Sequence, residues 1–99
     1  MKKPKISNFT TGIEQFCKKY HITSLALFGS ILTASFTPSS DVDILVQFEK
    51  DHIPTLFDLV DMESELTTII GHQVDLRTPK DLSPYFRDAV ISQAKLIYG

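Results

Sequence analysis

The chain has 99 residues, 42% hydrophobic and 22% charged, with a formal net charge of −2 and a single cysteine. That length supports one domain, expected to span residues 1–99, and a charge this close to neutral provides no basic field to draw the chain onto nucleic acid. Cys17 alone allows no internal disulfide, no apolar run approaches membrane-spanning length and no signal peptide is evident, so a cytoplasmic protein is expected.

Lys2, Lys3 and Lys5 read as a solvated tail. Thr11 and Glu14 have the spacing of a capping box. Ile13, Phe16, Cys17 and Tyr20 come next at helical period, predicting a first helix that ends near His21 with Cys17 in its core stripe. His21, His52 and His72 fall at loop-like positions without zinc-ligand spacing. Ser24–Phe28 is nearly all apolar, as a strand buried on both faces is. Gly29-Ser30 comes immediately after it. The glycine lets backbone approach a ligand closely, and Ser30 is a good N-cap for a short helix over Ile31 to Phe36, whose first amides favour an anion. An ordinary strand-to-helix turn uses the same residues, so the pair gains meaning only from two carboxylates further along the chain.

Thr37–Ser40 reads as a turn. It delivers Asp41-Val42-Asp43 at the head of the apolar run Ile44 to Phe48. Strand side chains alternate, so Asp41 and Asp43 share a face while Val42, Ile44 and Val46 point into a core. Two carboxylates this close raise each other's pKa unless a cation intervenes, and magnesium is held by one or two carboxylates plus substrate phosphates. Alone, Asp-x-Asp reads as a turn residue and a solvated strand end. With Gly29-Ser30 at this distance it reads as half of a metal–triphosphate site.

Glu49–His52 is a polar loop at the cleft mouth. Pro54 and Thr55 start a long helix with apolar positions Leu56, Leu59, Val60, Leu66, Ile69 and Ile70, stopped by Gly71. Its Asp58, Asp61, Glu63 and Glu65 read mostly as a solvated face, with some of them against a partner. Gln73–Thr78 is a third strand, with Val74 and Leu76 on one face and Asp75 and Arg77 on the other. Asp75 either faces the same cleft, completing three carboxylates for two-metal phosphoryl or nucleotidyl transfer, or is an exposed residue paired with Arg77. Arg77 either reaches a phosphate or serves that ion pair. Pro79-Lys80 turn the chain. Ser83, with Pro84 after it, opens a last helix with the stripe Phe86, Ala89, Val90, Ala94 and Ile97.

The order is α-β-α-β-α-β-α, an α+β fold with a three-stranded mixed sheet and about four helices. The connection between the first two strands, about ten residues, is too short for a parallel crossover, so those strands are expected to be antiparallel. Helices against one face would leave the carboxylates on the open side.

Leu25-Ala26-Leu27-Phe28-Gly29-Ser30, Ser40-Asp41-Val42-Asp43-Ile44-Leu45-Val46, Leu56-Phe57-Asp58-Leu59-Val60-Asp61-Met62-Glu63, Val74-Asp75-Leu76 and Leu82-Ser83-Pro84-Tyr85-Phe86-Arg87 together resemble the minimal nucleotidyltransferases of the DNA polymerase beta superfamily. The likeness is strongest to the small MNT proteins encoded beside HEPN-domain toxins, and it runs from about Ile13 to Tyr98. The resemblance implies the small nucleotidyltransferase fold. It implies an antitoxin that uses ATP and two magnesium ions to transfer AMP to a tyrosine of a partner HEPN ribonuclease, in a hetero-oligomer without direct contact to nucleic acid or membrane. By the same resemblance Gly29 and Ser30 hold the triphosphate, Asp41 and Asp43 bind both metals, and Asp75 helps bind the catalytic metal and activates the tyrosine hydroxyl. Ser40 and Arg77 join the nucleotide-binding set. Thr33 stands where relatives often carry arginine, and the run Ile31 to Pro38 has no charge, which bears on the grip on triphosphate. One rival is a module that masks the toxin without modifying it. The other is a nucleotidyltransferase for a small molecule, which generally carries an extra acceptor domain for which this length leaves little room.

Overall fold

The computed structural model describes residues 10–99, and side-chain surroundings from residue 12 onward. The basic tail lies outside the described residues, and the Thr11 side chain outside those whose surroundings are described. Helix α1 spans Thr10–Lys19, strand β1 Ile22–Phe28, strand β2 Val42–Phe48, helix α2 Leu56–Ile70, strand β3 Val74–Arg77, helix α3 Arg87–Gln93 and strand β4 Lys95–Tyr98. Single 3-10 turns occupy Gly29–Leu32 and Pro79–Asp81. The four strands form one sheet in the order β3-β2-β1-β4. As the short first connection requires, β1 and β2 are antiparallel. β2 and β3 are parallel, joined by a crossover through α2, and β4 lies antiparallel to β1.

The core lies where α1 and α2 cover one face of this sheet. From α1 it takes Ile13, Phe16 and Cys17, and from α2 Met62, Leu66 and Ile70. From β2 it takes Val42, Ile44 and Val46, each fully buried, as strand alternation predicts. Burial pushes the Cys17 thiol up to about 12, so it packs as a small apolar group and is no nucleophile at neutral pH. Ala26 and Leu45 are buried on the other face, so that face is only partly open.

The sequence-based expectation of three strands and about four helices needs three corrections. Ser30 does not cap a helix running to Phe36: it sits inside the 3-10 turn, and no side chain caps that turn's first residue. Gly29 holds a left-handed φ of 76°, which favours a tight turn over a helix entry. The last helix is shorter than its apolar stripe suggests, because none of its residues is buried and a helix of this length needs tertiary contact to persist. Phe86 is 65% exposed. Ala94 turns extended, and the residues after it pair with β1, whose outer backbone groups would otherwise lack partners. The stripe of α2 also shifts: Met62 joins it, while Leu56 and Val60 face solvent.

Candidate active site

The expected site residues meet at the end of β1 and the start of β2 and β3. In the antiparallel pair Phe28 stands opposite Asp43, and in the parallel pair Asp43 stands beside Asp75. Registered neighbours point to the same side of a sheet, so Asp43 and Asp75 share the face opposite the core. Asp41 precedes β2 and is exposed. Its position is fixed by its neighbours: the Val42 amide donates to the Gln73 carbonyl at 2.8 Å, and His72 Nε2 donates to the Ser40 carbonyl at 2.6 Å.

Gly29 comes into direct contact with this cluster. A Cβ at this position would collide with Asp43 Oδ2. The missing side chain therefore makes room for the carboxylate, in addition to permitting the positive φ.

Electrostatics point to the same convergence. Asp43 is half-buried, and burial, then the charges of Asp75 and Asp41, push its carboxyl above the ordinary value, with Arg77 pulling in the other direction. Asp41, Asp43 and Asp75, at the start of β2 and β3, form an oxygen-rich, anionic donor set in which both other carboxylates act on Asp43, although the three do not converge within 4.8 Å of one another in the resting chain. A hard divalent cation such as magnesium relieves that repulsion and prefers such ligands, so the residues present fit the metal that the sequence implies.

Asp75 takes part in both arrangements left open by the sequence. It shares the face of Asp43, and it also receives Arg77 Nε at 3.0 Å and Nη2 at 3.3 Å. The Asp75 side chain is 31% exposed, enough to remain approachable from solvent. Ser30 is half-buried, and its carbonyl accepts from both the Thr33 amide and the Thr33 hydroxyl. Thr33 thus closes the 3-10 turn. The Ser40 hydroxyl accepts from the Thr37 amide at 3.0 Å and closes the turn before Asp41, so it acts on loop shape in this arrangement.

One supporting residue carries no legible signal in the sequence. Glu63, read as part of a solvated face, accepts the Leu76 amide at 2.9 Å, next to Asp75. Only the docking of α2 along β3 brings that pair together.

The family model described as polymerase beta nucleotidyltransferase matches residues 11–99. The chain belongs to this family. Within the family, a protein of Methanocaldococcus jannaschii provisionally named protein adenylyltransferase MJ1379 is 36% identical over 81 residues, covering 81% of this chain and 79% of its own. The protein adenylyltransferase MntA of Thermococcus cleftensis is 33% identical over 70 residues, covering 71% of this chain and 69% of its own. Among solved structures, one provisionally described as a minimal nucleotidyltransferase superposes with a TM-score of 0.73 at 26% identity, covering 90% of this chain and 89% of that one. The complex of the tri-AMPylated Shewanella oneidensis HEPN toxin with its MNT antitoxin gives a TM-score of 0.65 at 20% identity, over 93% of this chain and 71% of that one, a likeness of fold. The family fold here is therefore α+β, with a four-stranded mixed sheet and, among the described residues, three α-helices. No helix of the described residues is long and apolar enough to cross a membrane.

Proposed function

We propose that the chain is a protein adenylyltransferase that transfers AMP from ATP to a tyrosine of a partner HEPN toxin and so silences it. The observation that carries this reading is Asp43 lying beside Asp75 and against the Gly29 backbone, with its carboxyl raised by burial and then by Asp75 and Asp41. The names of the relatives support AMP as the transferred group.

In this reading Asp41 and Asp43 hold two magnesium ions, and Asp75 helps hold the catalytic one. Bound there, the ions would offset the charge that builds on the α-phosphate and the leaving pyrophosphate and would lower the proton affinity of the acceptor hydroxyl. The chain's own groups do the rest. The Gly29-Ser30 turn, beside which the Asp43 carboxylate sits, would present its backbone amides to phosphate oxygens. Asp75 accepts the tyrosine proton as the hydroxyl oxygen bonds to the α-phosphorus and the bond to the β-phosphate oxygen breaks, releasing pyrophosphate. Arg77, held by Asp75 in the resting chain, would pair with a phosphate once Asp75 turns to its other task. Positioning and charge stabilisation account for the rate, since no covalent enzyme intermediate is required.

A protein acceptor is favoured over a small molecule by an apolar row on the surface. Ile53, Leu56, Phe57 and Val60 are between 61% and 88% exposed at the start of α2, a patch suited to association with another protein. Incubating the chain with its HEPN partner, ATP and magnesium should raise the partner's intact mass by one or more AMP units, and Asp41→Ala should abolish the gain while the fold is retained. Tight association without any mass gain would instead support the masking role.

A further inference from the structure

His21 is far from Glu49 and His52 in the sequence, but the three form a cluster in the fold. His21 closes the turn into β1 and Glu49 comes directly after β2, so they flank the Ile22–Phe48 rung of the sheet. The Glu49 amide donates to the His21 carbonyl at 2.9 Å, and the His52 amide donates to the Glu49 carbonyl at 3.0 Å. The three backbones are therefore held on one short frame. His21 has a φ of 57°, the only left-handed residue other than glycine among the described residues. Its Nδ1 lies 3.0 Å from Glu49 Oε2, and its ring stacks on that of His52 with centroids 3.6 Å apart and planes within 5°. One ligand atom from each residue falls within 4.8 Å of the others, and all three side chains are exposed. At about 3.3 Å per residue, Phe48 is about 17 Å along β2 from Asp43, so the cluster stands apart from the three aspartates and the Glu49–His52 loop is not at the mouth of their cleft, where its polarity suggested it would be.

We propose that these three residues bind a divalent transition metal of the zinc class, in a site separate from the one formed by the aspartates. Two imidazoles and one carboxylate suit zinc, nickel or cobalt, and leave a coordination position for water. Magnesium prefers an all-oxygen set and belongs at the aspartates. In the stacked arrangement the ring lone pairs lie in parallel planes. Convergence on one ion needs rotation of exposed imidazoles, and the hydrogen-bonded backbone can stay where it is. A bound ion would staple the loop after β2 to the α1–β1 turn. That loop carries Ile53 and leads into the exposed apolar start of α2, so metal loading would fix the approach to that surface.

The test is cobalt titration of the full chain with any affinity tag removed, monitored by visible absorption, with zinc added afterwards in competition. The expected result is one equivalent of cobalt giving d–d absorption, displaced by zinc. His21→Gln and His52→Gln should each weaken binding about tenfold or more, and Asp43→Asn should leave it unchanged. Zinc should also raise the thermal midpoint of the wild-type chain and leave that of the double histidine variant where it was. Absence of cobalt binding, binding insensitive to both histidine substitutions, or binding lost in Asp43→Asn would each overturn the proposal. None of these results bears on AMP transfer, which is read independently.

Discussion

Gly29 is required for two reasons at once, its backbone angle and its contact with a carboxylate. Alanine at a left-handed position costs about 1–2 kcal/mol, and the new Cβ would also strike Asp43. Gly29→Ala should therefore lower the denaturant midpoint and reduce AMP transfer further than that loss of stability explains. A variant with wild-type midpoint and wild-type transfer would show that Gly29 does not shape the Asp43 position. The sequence revealed that backbone approaches something closely here, because a glycine after an apolar run is a local signal. It did not reveal that Asp43 fills the space, because strand register decides that contact. Asp43 carries a second consequence. Its carboxyl binds a proton more tightly in the folded chain than in the unfolded one, so its contribution to stability grows as pH falls through the raised value and is lost as pH rises above it. Asp43→Asn removes a crowded charge. In magnesium-free buffer at neutral pH this variant should melt above the wild type by calorimetry, and with magnesium restored it should lose transfer in a labelled-ATP assay. A lower melting point would contradict the crowding of charge at this position.

At the scale of elements, the crossover helix does more than cover the core. β3 is an edge strand, and two α2 side chains one turn apart accept its outward amides. Thr67 takes the Val74 amide at 3.1 Å and Glu63 takes the Leu76 amide at 2.9 Å. The edge is thereby closed to pairing with another chain, and Asp75 is held between two fixed residues. Leaving such an amide unpaired costs about 1–3 kcal/mol, so Glu63→Ala should destabilise by that amount, and Glu63→Gln, which keeps an acceptor, by less. Equal stability of both variants by chemical denaturation would remove this role. The elements themselves were partly legible. Thr55 and Gly71 bound α2 as local capping chemistry predicts, with Gly71 left-handed and Thr55 in a reciprocal box with Asp58. The C-terminal segment was not legible, because its helical spacing was outweighed by the unpaired edge of β1, a long-range demand that no window of sequence contains.

Across the whole molecule, the sheet gathers side chains from three distant stretches at one end of the β1–β2 ribbon, with the helices behind them. The antiparallel start was legible from the short connection between β1 and β2, and the alternation of β2 and β3 gave the correct faces. What could not be read was the rung that puts Asp43 beside Asp75, since parallel pairing across a long crossover leaves no local trace. The other end of the same ribbon holds the imidazole pair, and the exposed start of α2 lies beyond the loop that carries His52. If that start is the docking face, Phe57→Ser should leave the melting temperature close to wild type, because the side chain is 82% exposed, yet weaken association with the HEPN partner in a calorimetric titration. Undiminished affinity would move the docking face elsewhere.

Asp75 is the most exacting point of the proposed chemistry, since it serves an ion pair in the resting chain and a catalytic duty in the reaction. The decisive measurement is the rate of labelled AMP transfer to the HEPN partner by Asp75→Asn, beside its circular dichroism spectrum. An intact fold is expected, with a rate reduced by a factor on the order of 100 or more. Transfer at the wild-type rate by a folded Asp75→Asn chain would leave Asp75 as a partner of Arg77 alone and contradict the three-carboxylate site.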